Sequence, residues 1–69
     1  MNIRFTIEEE NLICIYHEDD RNSTIANIRE AVPYMDDDYM KQLAEDVIGK
    51  LQSMTDTGFS ETQFTFTDE

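Results

Sequence analysis

The sequence predicts a mainly α fold: a small domain of three helices at about 7–17, 24–33 and 38–54, with a short two-stranded ribbon pairing the two chain ends. Three observations predict it. Thr6 precedes an apolar run and is followed three residues later by Glu9, the spacing of a capping box. Ile25, Ile28 and Val32 recur at helical steps and stop at Pro33. Met40, Leu43, Ala44, Val47, Leu51 and Met54 then form one stripe at three- and four-residue intervals.

The first element is the most ambiguous. In "FTIEEENLICIY" (5–16), two β-rich runs flank "EEEN", which reads as a hairpin. The joint has no Gly or Pro, and only Asn11 is a usual turn residue. As a helix, Thr6 is the N-cap, and Glu8, Glu9 and Glu10 fill the first turn, where the helix dipole favours negative charge. The helix is the preferred reading and the hairpin stays open. Leu12 to Tyr16 are apolar all round, so this helix requires cover on more than one side.

"HEDDRNS" (17–23) is a polar connector, and Asn22 or Ser23 can cap the second helix. That helix ends at Pro33, which disfavours α geometry at Val32 and lacks an N–H. An aspartate of "YMDDD" (34–38) caps the third helix. Its sixteen or so residues give roughly 24 Å of packing surface at 1.5 Å per residue. "MTDTGF" (54–59) ends it, with Gly58 as a turn residue. "TQFTFT" (62–67) and "NIRF" (2–5) both alternate as strands do, and they supply the expected ribbon; "SETQ" (60–63) offers a competing short fourth helix.

At 69 residues, one domain spanning 1–69 is the expectation. A chain of this size buries only about 60% of the surface it exposes unfolded, so its core is thin and a deep catalytic cleft is not expected. Sixteen Asp plus Glu against five Lys plus Arg give a formal charge of -11. Such a chain repels phosphate backbones, whose affinity comes from Lys and Arg releasing counterions, so direct nucleic-acid binding is disfavoured. A basic protein partner is favoured, chiefly through faster, salt-sensitive encounter. One cysteine, Cys14, excludes an internal disulfide and reads as a small buried hydrophobe. "MNIRFTIEEE" has no signal-peptide pattern, and no apolar run approaches the ~20 residues a membrane span needs, so a cytoplasmic location is expected.

Catalytic and metal motifs find little support. Cys14 and His17 could form a local pair, but no third group is evident to orient them. "HEDD" (17–20) has ligand chemistry, yet consecutive side chains diverge. "DDDYMKQLAED" (36–46) lacks the central glycine of a calcium loop, and two isolated glycines cannot cradle phosphate. No catalytic residue, metal or cofactor is therefore expected. The candidate partner-binding residues are Tyr34, Met35, Asp36, Asp37, Asp38 and Tyr39, which set aromatic and Met side chains beside acids. The acids Glu18, Asp19 and Asp20 join them as a second negative cluster. Against this stands the plainer reading that the aspartates are helix caps and that Met40 and one tyrosine are core.

Phe5-Thr6, Glu8-Glu9 and Asn11 to Tyr16, then Arg21 and Ile25, then Lys50-Leu51, Met54-Thr55-Asp56 and Phe59 resemble the transposon-transfer assisting proteins. These are small cytoplasmic proteins encoded in conjugative transposons of Gram-positive bacteria. The resemblance is most specific in "FTIEEENLICIY" and "KLQSMTDTGF" and weak between them. The family tends to end in a short apolar segment containing proline, whereas this chain ends "SETQFTFTDE". The resemblance implies a small, mainly helical domain and a role in assisting transfer of a mobile element, and it carries no catalytic residue. The expectation is a non-enzymatic accessory protein that binds a basic partner in the transfer machinery. The alternative is an acidic DNA mimic that occupies a nucleic-acid-binding protein.

Overall fold

The computed structural model describes residues 4–64. Four α-helices follow in order: α1 (Ile7–Tyr16), α2 (Arg21–Ala31), α3 (Asp38–Ser53) and α4 (Asp56–Glu61), with a 3-10 turn at Val32–Tyr34 between α2 and α3. The three expected helices are present, and the front of the chain is a helix and not a hairpin. The Thr6 hydroxyl accepts from the Glu9 N–H at 3.2 Å, while the Glu9 carboxylate accepts from the Thr6 N–H at 2.8 Å. Both halves of the capping box are thus made.

α2 begins earlier than the sequence reading placed it. Its cap is Asp20, not Asn22 or Ser23: the Asp20 carboxylate accepts from the Ser23 N–H at 2.7 Å. The gained first turn brings Arg21 into use. Its guanidinium lies across the end of α3, donating from Nη1 to the carbonyls of Leu51 (3.0 Å) and Gln52 (3.3 Å) and from Nε to Asp56 at 2.9 Å. One side chain thereby caps the C-terminus of α3, adding to the Met54 N–H that already donates to the Leu51 carbonyl, and ties the end of α3 to the start of α4. Pro33 sits in the 3-10 turn, which tightens the chain beyond α2 before Asp37 caps α3.

The core is a single cluster of Leu12 and Ile13 from α1, Ile25 and Ile28 from α2, Ala44, Val47, Ile48 and Leu51 from α3, and Phe59 from α4. The predicted α3 stripe supplies most of its floor. Ile48 is a core member that the stripe did not include, and Met40, Leu43 and Met54 are half-buried at its edge.

The C-terminal reading needs correction. Among the described residues there is no strand, and the part of the expected ribbon that falls on them is not formed. Its outer positions, 2–3 and 65–67, lie outside the described residues. Within them, the backbone groups a ladder would use are engaged elsewhere. The Arg4 carbonyl accepts from Lys50 Nζ at 2.9 Å, and the Thr62 N–H donates to the carbonyls of Gly58 and Phe59. The ends meet through side chains instead, with the Phe5 and Phe64 rings edge-to-face at 5.6 Å. A fourth helix does exist, but "SETQ" does not start it. Thr55 caps it, accepting from the Gly58 N–H at 2.9 Å, so Gly58 is a helical residue and not a turn. Buried Phe59 anchors this short helix to the core.

Candidate functional site

The segment 33–40 leaves the 3-10 turn and enters α3. Tyr34 is the most exposed large hydrophobic side chain described, at 86%. Met35 turns inward: its N–H closes the 3-10 turn on the Val32 carbonyl, and its side chain packs half-buried against the core. Asp36 is exposed. Asp37 is the α3 N-cap, accepting from the Tyr39 N–H at 2.8 Å, and Asp38 occupies the first turn. The segment therefore divides: Asp37 and Met35 serve the fold, whereas Tyr34 and Asp36 are free of any such duty on the structure described.

Tyr39 is 55% exposed, and its hydroxyl donates to the Glu8 carboxylate of α1. That hydrogen bond, aided by some desolvation and by the charges of Glu8, Asp37 and Glu9, raises its phenol pKa above the ordinary value. The pair borders an open cleft of about 250 Å³ between α1 and α3, lined by Thr6, Glu8, Glu9, Tyr39, Gln42, Leu43 and Asp46. A second depression of about 330 Å³ lies between α2 and α3, walled by Val32, Pro33, Ile48 and Gly49 with Arg29, Glu45 and Gln52 at its rim.

Residues 17–20 are held as a structural corner. The Glu18 N–H donates to the hydroxyl of fully buried Thr24, and that hydroxyl donates to the Asp20 carbonyl. The Asp20 cap hydrogen bonds with Ser23 lower its pKa. The His17 ring stacks on Phe59 at 5.3 Å and 13°. Glu18, Asp19 and Asp20 precede α2, whereas Asp36, Asp37 and Asp38 follow it. Eleven residues of helix separate the clusters, about 16 Å at 1.5 Å per residue. The structure does not merge them into one site. Among the described residues, no group of three or more His, Cys, Asp or Glu side chains is placed to hold a metal. Cys14 is half-buried and not buried as expected; desolvation, then the Glu10 charge, raises its thiol pKa.

Sequence reasoning missed the principal charged contact. Glu9 is almost fully buried, and Lys50 of α3 donates to it at 2.6 Å. Burial pushes the Glu9 carboxyl upward, but the hydrogen bonds and charge of Lys50 and the Thr6 cap outweigh it and hold the pKa below the usual value. Lys50 also stands 5.6 Å from the Phe5 ring centroid. Nothing local announces a partner 41 residues away. The only hint is a capping-box glutamate that falls on the same side of α1 as Leu12 and Ile13.

Arg21 and Lys50 are thus two of the five cations, and both are tied inside the fold. The acids are distributed otherwise: Glu8, Glu18, Asp19, Glu30, Asp36, Asp38, Glu45, Asp46 and Glu61 are all exposed. Fold and surface define a small acidic helical domain whose conspicuous features lie on its outside. The family described as Putative transposon-transfer assisting protein matches residues 5–65, and the chain belongs to that family. No curated protein and no solved structure matches it. Among the described residues, no helix is long and apolar enough to cross a membrane.

Proposed function

We propose that this protein is a non-enzymatic accessory factor of a conjugative transposon, assisting transfer of the element by binding a basic protein of the transfer machinery. Family membership supports the transfer role. The observation that carries the binding mode is the surplus of outward acid: Arg21 and Lys50 close internal contacts, which leaves Arg4, Arg29 and Lys41 against carboxylates that mostly face outward. An outward anionic field accelerates encounter with a cationic surface and opposes approach to nucleic acid. Tyr34 and Asp36 beside α3, and Tyr39 with Glu8 at the α1–α3 cleft, supply exposed aromatic and acidic contacts of the kind found at interfaces. Capture by the tagged chain from cells carrying the element, at low and high salt and with bound proteins identified by mass spectrometry, tests this. The expected result is a basic transfer protein, such as a relaxase or coupling protein, that is retained at low salt and released at high salt. Capture of no transfer protein at low salt refutes it.

A further inference from the structure

The α2–α3 depression combines a glycine and two charges that the chain itself does not use. Gly49 lies in the interior of α3, where glycine is disfavoured against every residue but proline. A Cβ at Gly49 would meet nothing within 4 Å, and among the described residues no glycine has a positive φ. Neither internal packing nor backbone conformation therefore calls for glycine there. A missing side chain does permit close approach from outside. Gly49 lines the depression of about 330 Å³, whose apolar walls are Val32, Pro33 and Ile48. Arg29 from α2 and Glu45 from α3 stand at its rim, and both are exposed. Arg29 suits the last turn of α2 by its charge. Yet among the described residues neither its side chain nor that of Glu45 makes a hydrogen bond or an ion pair.

We propose that this depression is a self-recognition surface, through which two copies of the chain dock as a symmetric dimer. In a two-fold interface the same patch serves both copies, so a patch that carries both members of a complementary pair answers itself. A two-fold axis running along the depression lays α2 of one copy over α3 of the other. Arg29 of each copy then faces Glu45 of the other, and the apolar walls close over Gly49 of both. The two charges select this occupant. A basic segment would set its cations against Arg29, and nucleic acid or anionic lipid would set its phosphates against Glu45. A second copy meets both rim charges with their opposites. The formal charge of -11 on each chain opposes the encounter, but charges more than about 8 Å apart are largely screened at physiological salt. The docked Arg29–Glu45 contacts fall inside that distance. The dimer should therefore tighten as salt rises, the reverse of binding to a basic protein. The inference is independent of the partner-binding reading above and uses a surface other than residues 34–39.

The test is sedimentation equilibrium of the full chain from about 10 µM to about 1 mM, in low and in high salt. The expected result is a monomer at the dilute end and a reversible dimer at the concentrated end, tighter in high salt. With the chain isotope-labelled, the amide shifts that change with concentration should fall on residues 29–33 and 45–52. Arg29→Glu and Glu45→Arg should each keep the wild-type melting curve at the dilute end and weaken the dimer at least tenfold. An equimolar mixture of the two variants should associate again, because both contacts then join opposite charges. Gly49→Leu, at a position where the chain itself leaves a Cβ free, should also abolish the dimer, and it carries the comparison if either reversal shifts the melting curve. Any of five results overturns the proposal: only monomer at the concentrated end in high salt, a dimer that loosens as salt rises, concentration-dependent shifts centred elsewhere, a dimer that survives these substitutions, or a mixture that associates no better than its components. The host capture experiment separates the two readings. If the chain captures a basic transfer protein but never dimerises, this surface is wrong and the function stands; if it dimerises as described but captures none, the function fails and the dimer stands.

Discussion

Severing the Glu9–Lys50 pair should unlock α1 from α3. The contact is 2.6 Å long, with the Glu9 side chain 5% exposed and that of Lys50 36% exposed. A hydrogen bond to a charged group contributes roughly 1.5–3 kcal/mol. Solvent reaches the lysine end and screens it, so the pair should contribute about 1–2 kcal/mol. In a domain this small, that corresponds to a melting-temperature change of about 4–16 °C. The assay is a double-mutant cycle of Glu9→Gln and Lys50→Met, read by thermal and urea unfolding at pH 7. Glutamine keeps an oxygen for the Thr6 N–H, so the cap survives and the cycle isolates the charge. The pH dependence has a fixed sign. Because the folded Glu9 pKa is depressed, its stabilisation is fully present above the ordinary carboxyl value of 4.5 and is lost as pH falls through the lower folded value. The cost of Glu9→Gln should therefore be complete at pH 7 and shrink below about pH 4. A coupling below about 0.3 kcal/mol, the scatter of independent sites, would refute this account of how α1 is held.

Four further outcomes follow from the same structure. Gly49→Ala should stabilise the protein by up to about 1 kcal/mol in urea unfolding, because a Cβ there meets nothing within 4 Å and alanine favours the helix. Gly58→Ala should not, because its Cβ would lie 3.0 Å from the Thr55 hydroxyl that caps α4; a loss of about 1 kcal/mol is expected, the usual cost of a damaged cap. Leu51→Ala, at a fully buried position, should cost about 2–5 kcal/mol by the same measurement. Glu8→Gln should lower the Tyr39 phenol pKa toward its ordinary 10.0 in an ultraviolet titration, since the hydrogen bond to the Glu8 carboxylate is the largest cause of its rise.

How legible each part was depended on the range over which its cause acts. The Thr6–Glu9 box and the α3 stripe are set by neighbours within four residues, and both stood in the sequence. The start of α2 was misplaced because Asp20, Asn22 and Ser23, within four residues of one another, are all favoured capping residue types. Tertiary use of Arg21 on the α3 carbonyls favours the earliest cap. The part of the ribbon expected on the described residues is absent for a similar reason. Alternation in "TQFTFT" is a local cue, but the Thr62 N–H already closes α4 and the Arg4 carbonyl already takes a lysine. Of the candidate surface, the plainer expectation that one tyrosine is core is not met, since Tyr34 and Tyr39 are both exposed, and the division of the aspartates into caps and free acids needed backbone geometry.

The residues that make the family resemblance recognisable also explain why it points so weakly to chemistry. Thr6 and Glu9 form the cap, Glu9 meets Lys50, Arg21 meets Asp56, Thr55 caps α4, and Leu51 and Phe59 are core. Nearly every member of that set is engaged in joining one helix to another. They specify how the four described helices stay together around a thin core, and under the proposed function a variant at any of them should lose transfer by unfolding before it loses contact with a partner. Substitutions that separate the two effects must come from side chains the fold does not use: Ile7 and Ile15 on α1, and Tyr34 and Asp36 ahead of α3. Under the proposed function, a transfer defect at those positions with an unchanged melting curve would be a defect in recognition, and the segment on which it falls would mark the contact surface.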